Sequence, residues 1–166
     1  MQIRKGVLFH NGEELKANDV LFSLKRMRED NTTAAMQVTA IDFDKSSVEG
    51  EYTLKIVTHE PSPMLLAQLE NPMAAIISEK SYSENSGNFF DAGSIGTGPY
   101  KLVSYRSGDR VTLVGNDKYW IEGQPKINNL VIKIITDGSS RAIEAESGGA
   151  DIVYDISPND VDRVDA

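Results

Sequence analysis

The sequence predicts a mixed α/β (α+β) fold, and three observations predict it. Stretches of period-two alternation, such as residues 52–57 and 130–135, interleave with stretches of helical period, such as residues 17–29. The 166 residues suit one ordinary domain or two small subdomains, and can bury about two-thirds of the unfolded surface without a staple. The apolar share, counted as AVILMFWC plus Gly, is about 44%, close to the globular norm of roughly 45–50%. Disorder, collagen, coiled coil and disulfide scaffold are disfavoured, and the longest apolar runs are far too short to span a bilayer.

Taken in order, residues 3–9 read as a strand, and His10-Asn11-Gly12 as a turn in which Asn-Gly suits positive φ. Ala17, Val20, Leu21, Leu24 and Met27 fall on one helical face, while Asp19, Ser23 and Arg26 fall elsewhere, so a helix is expected over Ala17–Glu29. Asn18 and Asp19 sit at its positive end; Lys25, Arg26 and Arg28 complement its negative end. Residues 30–33 read as a loop and 38–43 as a strand. Tyr52, Leu54 and Ile56 alternate with Thr53, Lys55 and Val57, which marks a second strand and a hairpin between the two. Pro61 and Pro63 open a short helix over 64–69, which Asn71-Pro72 stops. Residues 74–77 read as a short buried strand or extended segment, and 81–90 as polar surface.

A compositional break at residues 93–99, Gly-Ser-Ile-Gly-Thr-Gly-Pro, is the best internal boundary. After it, residues 100–105 and 111–114 flank Arg106-Ser107-Gly108-Asp109 as a hairpin, and residues 123–126 form a loop. Residues 130–135 make a strand whose two-sided apolar character predicts burial on both faces near its C-terminal end. Asp137, Ser139 or Ser140 caps a helix over 141–147, stopped by Gly148-Gly149. Residues 151–154 return as a strand, and Ser157-Pro158 opens a last helical turn.

Charge and cysteine content narrow the chemistry. Seventeen Lys and Arg against twenty-five Asp and Glu give −8, with no segregated basic patch, so nucleic acid and anionic membrane surfaces are poor partners. The absence of Cys removes thiol catalysis, Cys-ligated zinc and iron–sulfur clusters. Residues 1–5 carry charge with no apolar core after them, so no signal peptide is visible.

Each candidate motif has a simpler reading beside it. Gly96-Thr97-Gly98 lacks a following helix and a Gly-Lys-Ser/Thr, and reads as a crossover turn rather than a phosphate cradle. Asp42, Asp44 and Ser46 open like a calcium loop, but Ser47 and Thr53 stand where Gly and Glu are needed. His10 and His59, the two histidines, have no metal-ligand spacing, and no Ser sits in a nucleophile elbow. Tyr119-Trp120 reads as a cover over a hairpin before it reads as a stacking platform. Asp151, Asp155, Asp160, Asp162 and Asp165 read as a solvated face. Asp155 is the exception, because it directly follows a predicted strand, and ligand groups gather at the carboxyl ends of strands.

Several stretches resemble one family. Gly6-Val7-Leu8-Phe9-His10-Asn11-Gly12-Glu13-Glu14-Leu15, followed by Ala17-Asn18-Asp19-Val20-Leu21-Phe22-Ser23-Leu24-Lys25-Arg26, resembles the family 5 extracytoplasmic solute-binding proteins of oligopeptide, dipeptide and nickel ABC importers. Gly96-Thr97-Gly98-Pro99-Tyr100-Lys101-Leu102, Asn116-Asp117-Lys118-Tyr119-Trp120 and Ser147-Gly148-Gly149-Ala150-Asp151-Ile152 repeat the match in order and spacing. Lys16, Gly149 and Ala150 depart from the family's usual Thr, Glu and Val.

The resemblance implies a periplasmic binding protein-like II fold and an internal fragment of the first lobe of a longer, two-lobed extracytoplasmic protein or cell-surface lipoprotein. By that resemblance residues 1–92 belong to an accessory subdomain and residues 93–166 to the ligand-binding lobe. It implies capture of a peptide or other small solute for a membrane permease, with no catalytic residue, no metal ligand and no cofactor. Tyr154, Asp155 and Ile156 resemble the cleft-side loop, where the Asp155 carboxylate faces a cationic ligand group. A peptide receptor, a nickel-chelate or glycan binder, and a hydrolase built on Tyr154–Asp155 or Asp42–Asp44 are the alternatives. Self-association through cut strand edges is also expected.

Overall fold

Helix α1, Ala17–Glu29, organises the first part of the chain, because one of its faces is apolar along its whole length. Ala17, Val20, Leu24 and Met27 are buried along it, as the spacing predicts. Ser23, which the same spacing sets aside, is buried with them. The structure is a computed structural model that describes residues 1–29, 33–85 and 94–164. Those residues divide into two compact units, one within Met1–Leu102 and Val114–Asn128, the other within Val103–Leu113 and Asn129–Ala166.

In the first unit α1 packs with Val38, Ile41, Phe43, Leu54 and Ala74 into one hydrophobic core. Strands β1 (Ser47–Gly50) and β2 (Thr53–Lys55) pair antiparallel, with Val48 opposite Leu54 and a register shift before Gly50. The hairpin differs from the expected one, because its first strand, Ser47–Gly50, lies in what was expected to be the connection between residues 38–43 and 52–57. Residues 38–43 do not form that strand: a 3-10 helix covers Thr33–Val38, and Ile41 makes a single antiparallel bridge to Thr58. Asp42 explains the difference. Its carboxylate accepts the N–H groups of Asp44 and Lys45, both at 3.2 Å, and its carbonyl accepts the Ser46 N–H at 3.0 Å, so the chain turns instead of extending.

Residues 3–9 likewise break in two. Gly6 adopts φ +74° and gives its N–H to the Glu14 carboxylate at 2.6 Å, which leaves isolated bridges from Gln2 to Thr53 and from Leu8 to Glu14. The turn at His10-Asn11-Gly12 is present, with Gly12 at φ +90°. Helix α2 covers Leu65–Leu69, and Asn71 caps a 3-10 turn, Pro72–Ala74. Residues 75–78 are extended, with Ile77 buried. Ser78 then caps α3, Glu79–Glu84. The remainder of the expected polar stretch, residues 86–90, lies outside the described residues, as do 30–32 of the expected loop and Gly93 of the boundary segment.

Strands β3 (Tyr100–Arg106) and β4 (Arg110–Gly115) form the expected hairpin, turning at Gly108 with φ +72°. With β5 (Asn129–Lys133) they make a three-stranded sheet in the order β3-β4-β5. The hairpin's base belongs to the first unit and its tip to the second. A cis peptide joins Gln124 to Pro125 in the loop before β5.

In the second unit, α4 (Gly138–Glu146) starts at Asp137, whose carboxylate accepts the Ser140 N–H at 2.8 Å. Gly148, at φ +66°, follows its end. The expected burial on both faces near the C-terminal end of residues 130–135 is absent: Ile134 is 38% exposed, and before it Val131 is 50% exposed and Ile132 47%. Helix α4 buries only Ala142, so it is too small a layer to cover them within this unit. The strand expected at 151–154 is also absent, because among the described residues no backbone pairs with it. Ser157 caps a 3-10 turn, Pro158–Asp160, that runs into the short α5, Val161–Val164.

Candidate functional site

The loop through Tyr154, Asp155 and Ile156 presents side chains outward from the second unit. Tyr154 is 81% exposed, Ile156 is half-buried, and the Asp155 side chain is 90% exposed. Asp155 has φ +59°, the left-handed region that a β-carbon makes costly. One guanidinium holds it there. Arg141 Nη2 donates to the Asp155 carbonyl at 3.0 Å and to Asp155 Oδ2 at 2.9 Å, and Arg141 Nε reaches the same carbonyl at 3.3 Å. Nη1 donates to the carbonyls of Ile135 and Thr136 at 2.9 and 3.1 Å.

A second constellation lies in the first unit, where three separated sequence stretches meet on one crossover. The Gly98 carbonyl accepts Asn116 Nδ2 at 3.0 Å and faces His10 Nε2 at 3.0 Å. His10 also gives its backbone N–H to the Gly96 carbonyl at 2.9 Å, and its Nδ1 accepts the Gly96 N–H at 3.4 Å. Those roles place the imidazole proton on Nε2. Asn116 is buried, donates its N–H to the Pro99 carbonyl at 2.8 Å, and accepts the Lys118 N–H on Oδ1 at 3.1 Å. The Gly96 N–H that a phosphate would need is therefore occupied, and the crossover reading of Gly96-Thr97-Gly98 describes the geometry.

The other candidates do not assemble into reactive sites. Asp42 is nearly buried and accepts Lys45 Nζ at 2.7 Å, with His59 Nδ1 3.7 Å away. The Lys45 ammonium and backbone N–H hold its carboxyl below the ordinary aspartate range, which is the opposite of what a general acid needs. Tyr119 and Trp120 lie tilted with centroids 5.3 Å apart, and the Arg4 guanidinium sits 4.5 Å over the Trp120 ring. Asp160 pairs with Arg163, which also meets Glu146; Asp165 lies outside the described residues. Among the described residues no three His, Asp or Glu side chains are placed to hold a metal ion.

Sequence reasoning singled out Asp155 and missed Arg141. A signal was available: a cation in the first half of a helix opposes the macrodipole, so Arg141 needs acceptors from outside the helix. His10 and Asn116 were legible only as members of matching stretches, since nothing local in either stretch names Gly98 as their shared partner.

Comparison with known proteins adds three findings. The model of the bacterial extracellular solute-binding proteins, family 5, matches residues 1–166. Nickel-binding protein NikA of Staphylococcus aureus is 26% identical over 166 residues, covering 99% of this chain and 32% of the relative, and di/tripeptide-binding protein 1 of Pseudomonas aeruginosa is 29% identical over 183 residues, covering 98% and 34%. The periplasmic binding protein DppA of Helicobacter pylori, solved with the peptide STSA, superposes with a TM-score of 0.85 at 23% identity, covering 98% of this chain and 36% of that one, and shares the fold. The chain thus spans about a third of the length of the curated relatives it matches.

Proposed function

This chain belongs to the bacterial extracellular solute-binding proteins of family 5, and from that premise we propose that it is part of the substrate-binding component of an ABC importer for peptides. The match of the family model across all 166 residues carries the reading. In this reading the whole protein works outside the cytoplasm, closes two lobes on its ligand, hides it from water and presents it to a membrane permease. Residues 1–92 serve as the accessory subdomain of the first lobe and residues 93–166 as part of the lobe that meets the ligand. No helix among the described residues is long and apolar enough to cross a membrane.

Capture without transformation fits the residues. A buried peptide needs partners for its backbone N–H and C=O groups, or it forfeits about 1–3 kcal/mol for each unmet group. The Tyr154–Asp155–Ile156 loop supplies main-chain groups, an exposed phenol and a carboxylate. Nickel chelate is the second reading, favoured by the 26% identity to a nickel-binding protein across 99% of this chain.

Calorimetry on the full-length protein that carries this chain separates the two. We expect micromolar or tighter binding of tri-alanine, and no heat with nickel(II)–histidine; the reverse pattern replaces the peptide reading with the nickel one. The 166-residue chain alone is expected to bind tri-alanine poorly, because one wall of the cleft is absent, and micromolar affinity there contradicts the two-lobe premise. Self-association through the edges of the β3-β4-β5 sheet completes the proposal, and a concentration-independent monomer by light scattering removes it.

A further inference from the structure

We infer that Arg141 is the positioning residue of the loop at Tyr154–Ile156, and that Asp155 serves that loop as a clamped turn and not as a counter-charge for the ligand. The inference rests on the reading of that loop as a ligand contact. Three observations carry it. One guanidinium bonds both the carbonyl and the carboxylate of Asp155, so it fixes the backbone and the side chain of a single residue together. Its remaining nitrogen is anchored to the carbonyls of Ile135 and Thr136, and the Arg141 side chain is only 20% exposed, so the guanidinium end of the clamp is held in place while the Asp155 carboxylate reaches it from solvent. Asp155 stands at φ +59°, a conformation that costs Asp more than Gly and that the two Arg141 bonds to its carbonyl and carboxylate favour.

Arginine is specified here, because only its planar fork can serve three carbonyls and a carboxylate at once; a lysine offers one point charge. The charge accounting sets the ligand class. Arg141 and Asp155 form a neutral pair, so the loop offers a peptide the Tyr154 ring and hydrogen-bonding groups without reading the ligand's charge. This loop therefore contributes little preference for peptides with cationic over neutral side chains, whatever Asp155 alone would have preferred.

The test uses the full-length protein carrying this chain, with tri-alanine and tri-lysine as probes in calorimetry. Arg141→Lys is expected to weaken both about tenfold, near the cost of an unheld left-handed residue. Adding Asp155→Gly to Arg141→Lys is expected to restore most of that loss, since Gly adopts positive φ unaided; a general loss of fold would not be restored. Asp155→Asn is expected to weaken both probes by one common factor. Unchanged binding in Arg141→Lys, failure of the double variant to recover, or a selective tenfold loss of tri-lysine in Asp155→Asn overturns the inference. If the wild-type protein binds neither probe, the functional reading fails, and NMR of Asp155 in the 166-residue chain decides this one. A strong intraresidue Hα–HN contact in wild type that disappears in Arg141→Lys supports the clamp; its persistence in the variant overturns it.

Discussion

Ser23 shows how much one hydroxyl can hold. It is buried on α1 and accepts the Ile77 N–H at 3.0 Å, while lying 3.3 Å from the Ile77 carbonyl and 2.7 Å from the Asp19 carbonyl. Ser23→Ala leaves both main-chain groups of Ile77 without this partner in an apolar setting, so urea unfolding is expected to show a loss of about 1–3 kcal/mol. A variant as stable as the wild type contradicts the assignment. The carboxylates add a pH dependence of definite sign. Asp42 is held low first by the Lys45 ammonium, Glu13 first by Lys80, and Asp137 first by Ser140. A depressed carboxyl contributes fully above its unfolded value, about 3.9 for Asp and 4.3 for Glu, and that contribution is lost as pH falls through the folded value. The melting temperature is therefore expected to be flat above about pH 5 with respect to these groups, and to fall below about pH 4. Asp42→Asn should lower it at pH 7 and flatten the acid limb; an unchanged limb removes Asp42 from the account. The contacts of Ser23 and Glu13 were not legible in the sequence, because their partners Ile77 and Lys80 lie more than fifty residues away, whereas the Asp137 cap is a local pattern that was.

At the scale of elements, local chemistry was legible and pairing was not. Helix α1 was readable to its ends because its apolar period and its charges agree. Helix α4 was readable as an element from Asp137 before it and Gly148 after it, although it starts at Gly138 and not at residue 141 as expected, and the β3–β4 hairpin was readable because Gly108 sits at its turn. The strands expected at 3–9, 38–43 and 151–154 fail for a shared reason. Alternation states that a segment is able to pair, while a ladder needs a neighbour in register and a backbone free to give its bonds. Gly6 and Asp42 take those bonds into turns, and residues 151–154 have no ladder partner among the described residues. The crossover at Gly98 yields a prediction at this scale. Asn116 donates to the Gly98 carbonyl and accepts the Lys118 N–H, so it ties the start of β3 to the end of β4 through groups of both signs. Asn116→Asp keeps the acceptor and turns the donor into a second oxygen facing a carbonyl, so it should destabilise at least as much as Asn116→Ala, by about 1–3 kcal/mol. Thermal unfolding at pH 7 checks this, and an Asp variant more stable than the Ala variant reverses the hydrogen-bond assignment.

The whole molecule is uneven in what holds it. Among the described residues, twelve of the thirteen buried hydrophobic ones, from Val7 to Ile77, lie in the first unit, and Ala142 lies in the second. Around Ala142 the second unit is held by polar bonds on exposed groups: Lys133 to Glu144 at 2.6 Å, Lys133 to the Gly149 carbonyl at 2.8 Å, and the Arg141 clamp. Exposed ion pairs contribute roughly 0–1 kcal/mol each, whereas a fully buried aliphatic side chain contributes about 1.5–3 kcal/mol. The two units therefore differ in local stability by several large side chains' worth of burial, which salt bridges of this kind do not offset. Native-state hydrogen exchange on the 166-residue chain should resolve that difference. Amides of α1 and of β2 around Leu54 are expected to exchange only through the largest opening, while amides of α4 and of β5 exchange through smaller local openings and first become open to proteolysis. Raising the salt concentration should widen the gap, because screening weakens the ion pairs of the second unit and leaves apolar burial in the first intact. Equal protection in α1 and α4 at low denaturant would mean that the chain unfolds as one cooperative body, and that the exposed apolar side chains Val131, Ile132 and Ile143 are covered in solution by something stronger than the contacts of their own unit.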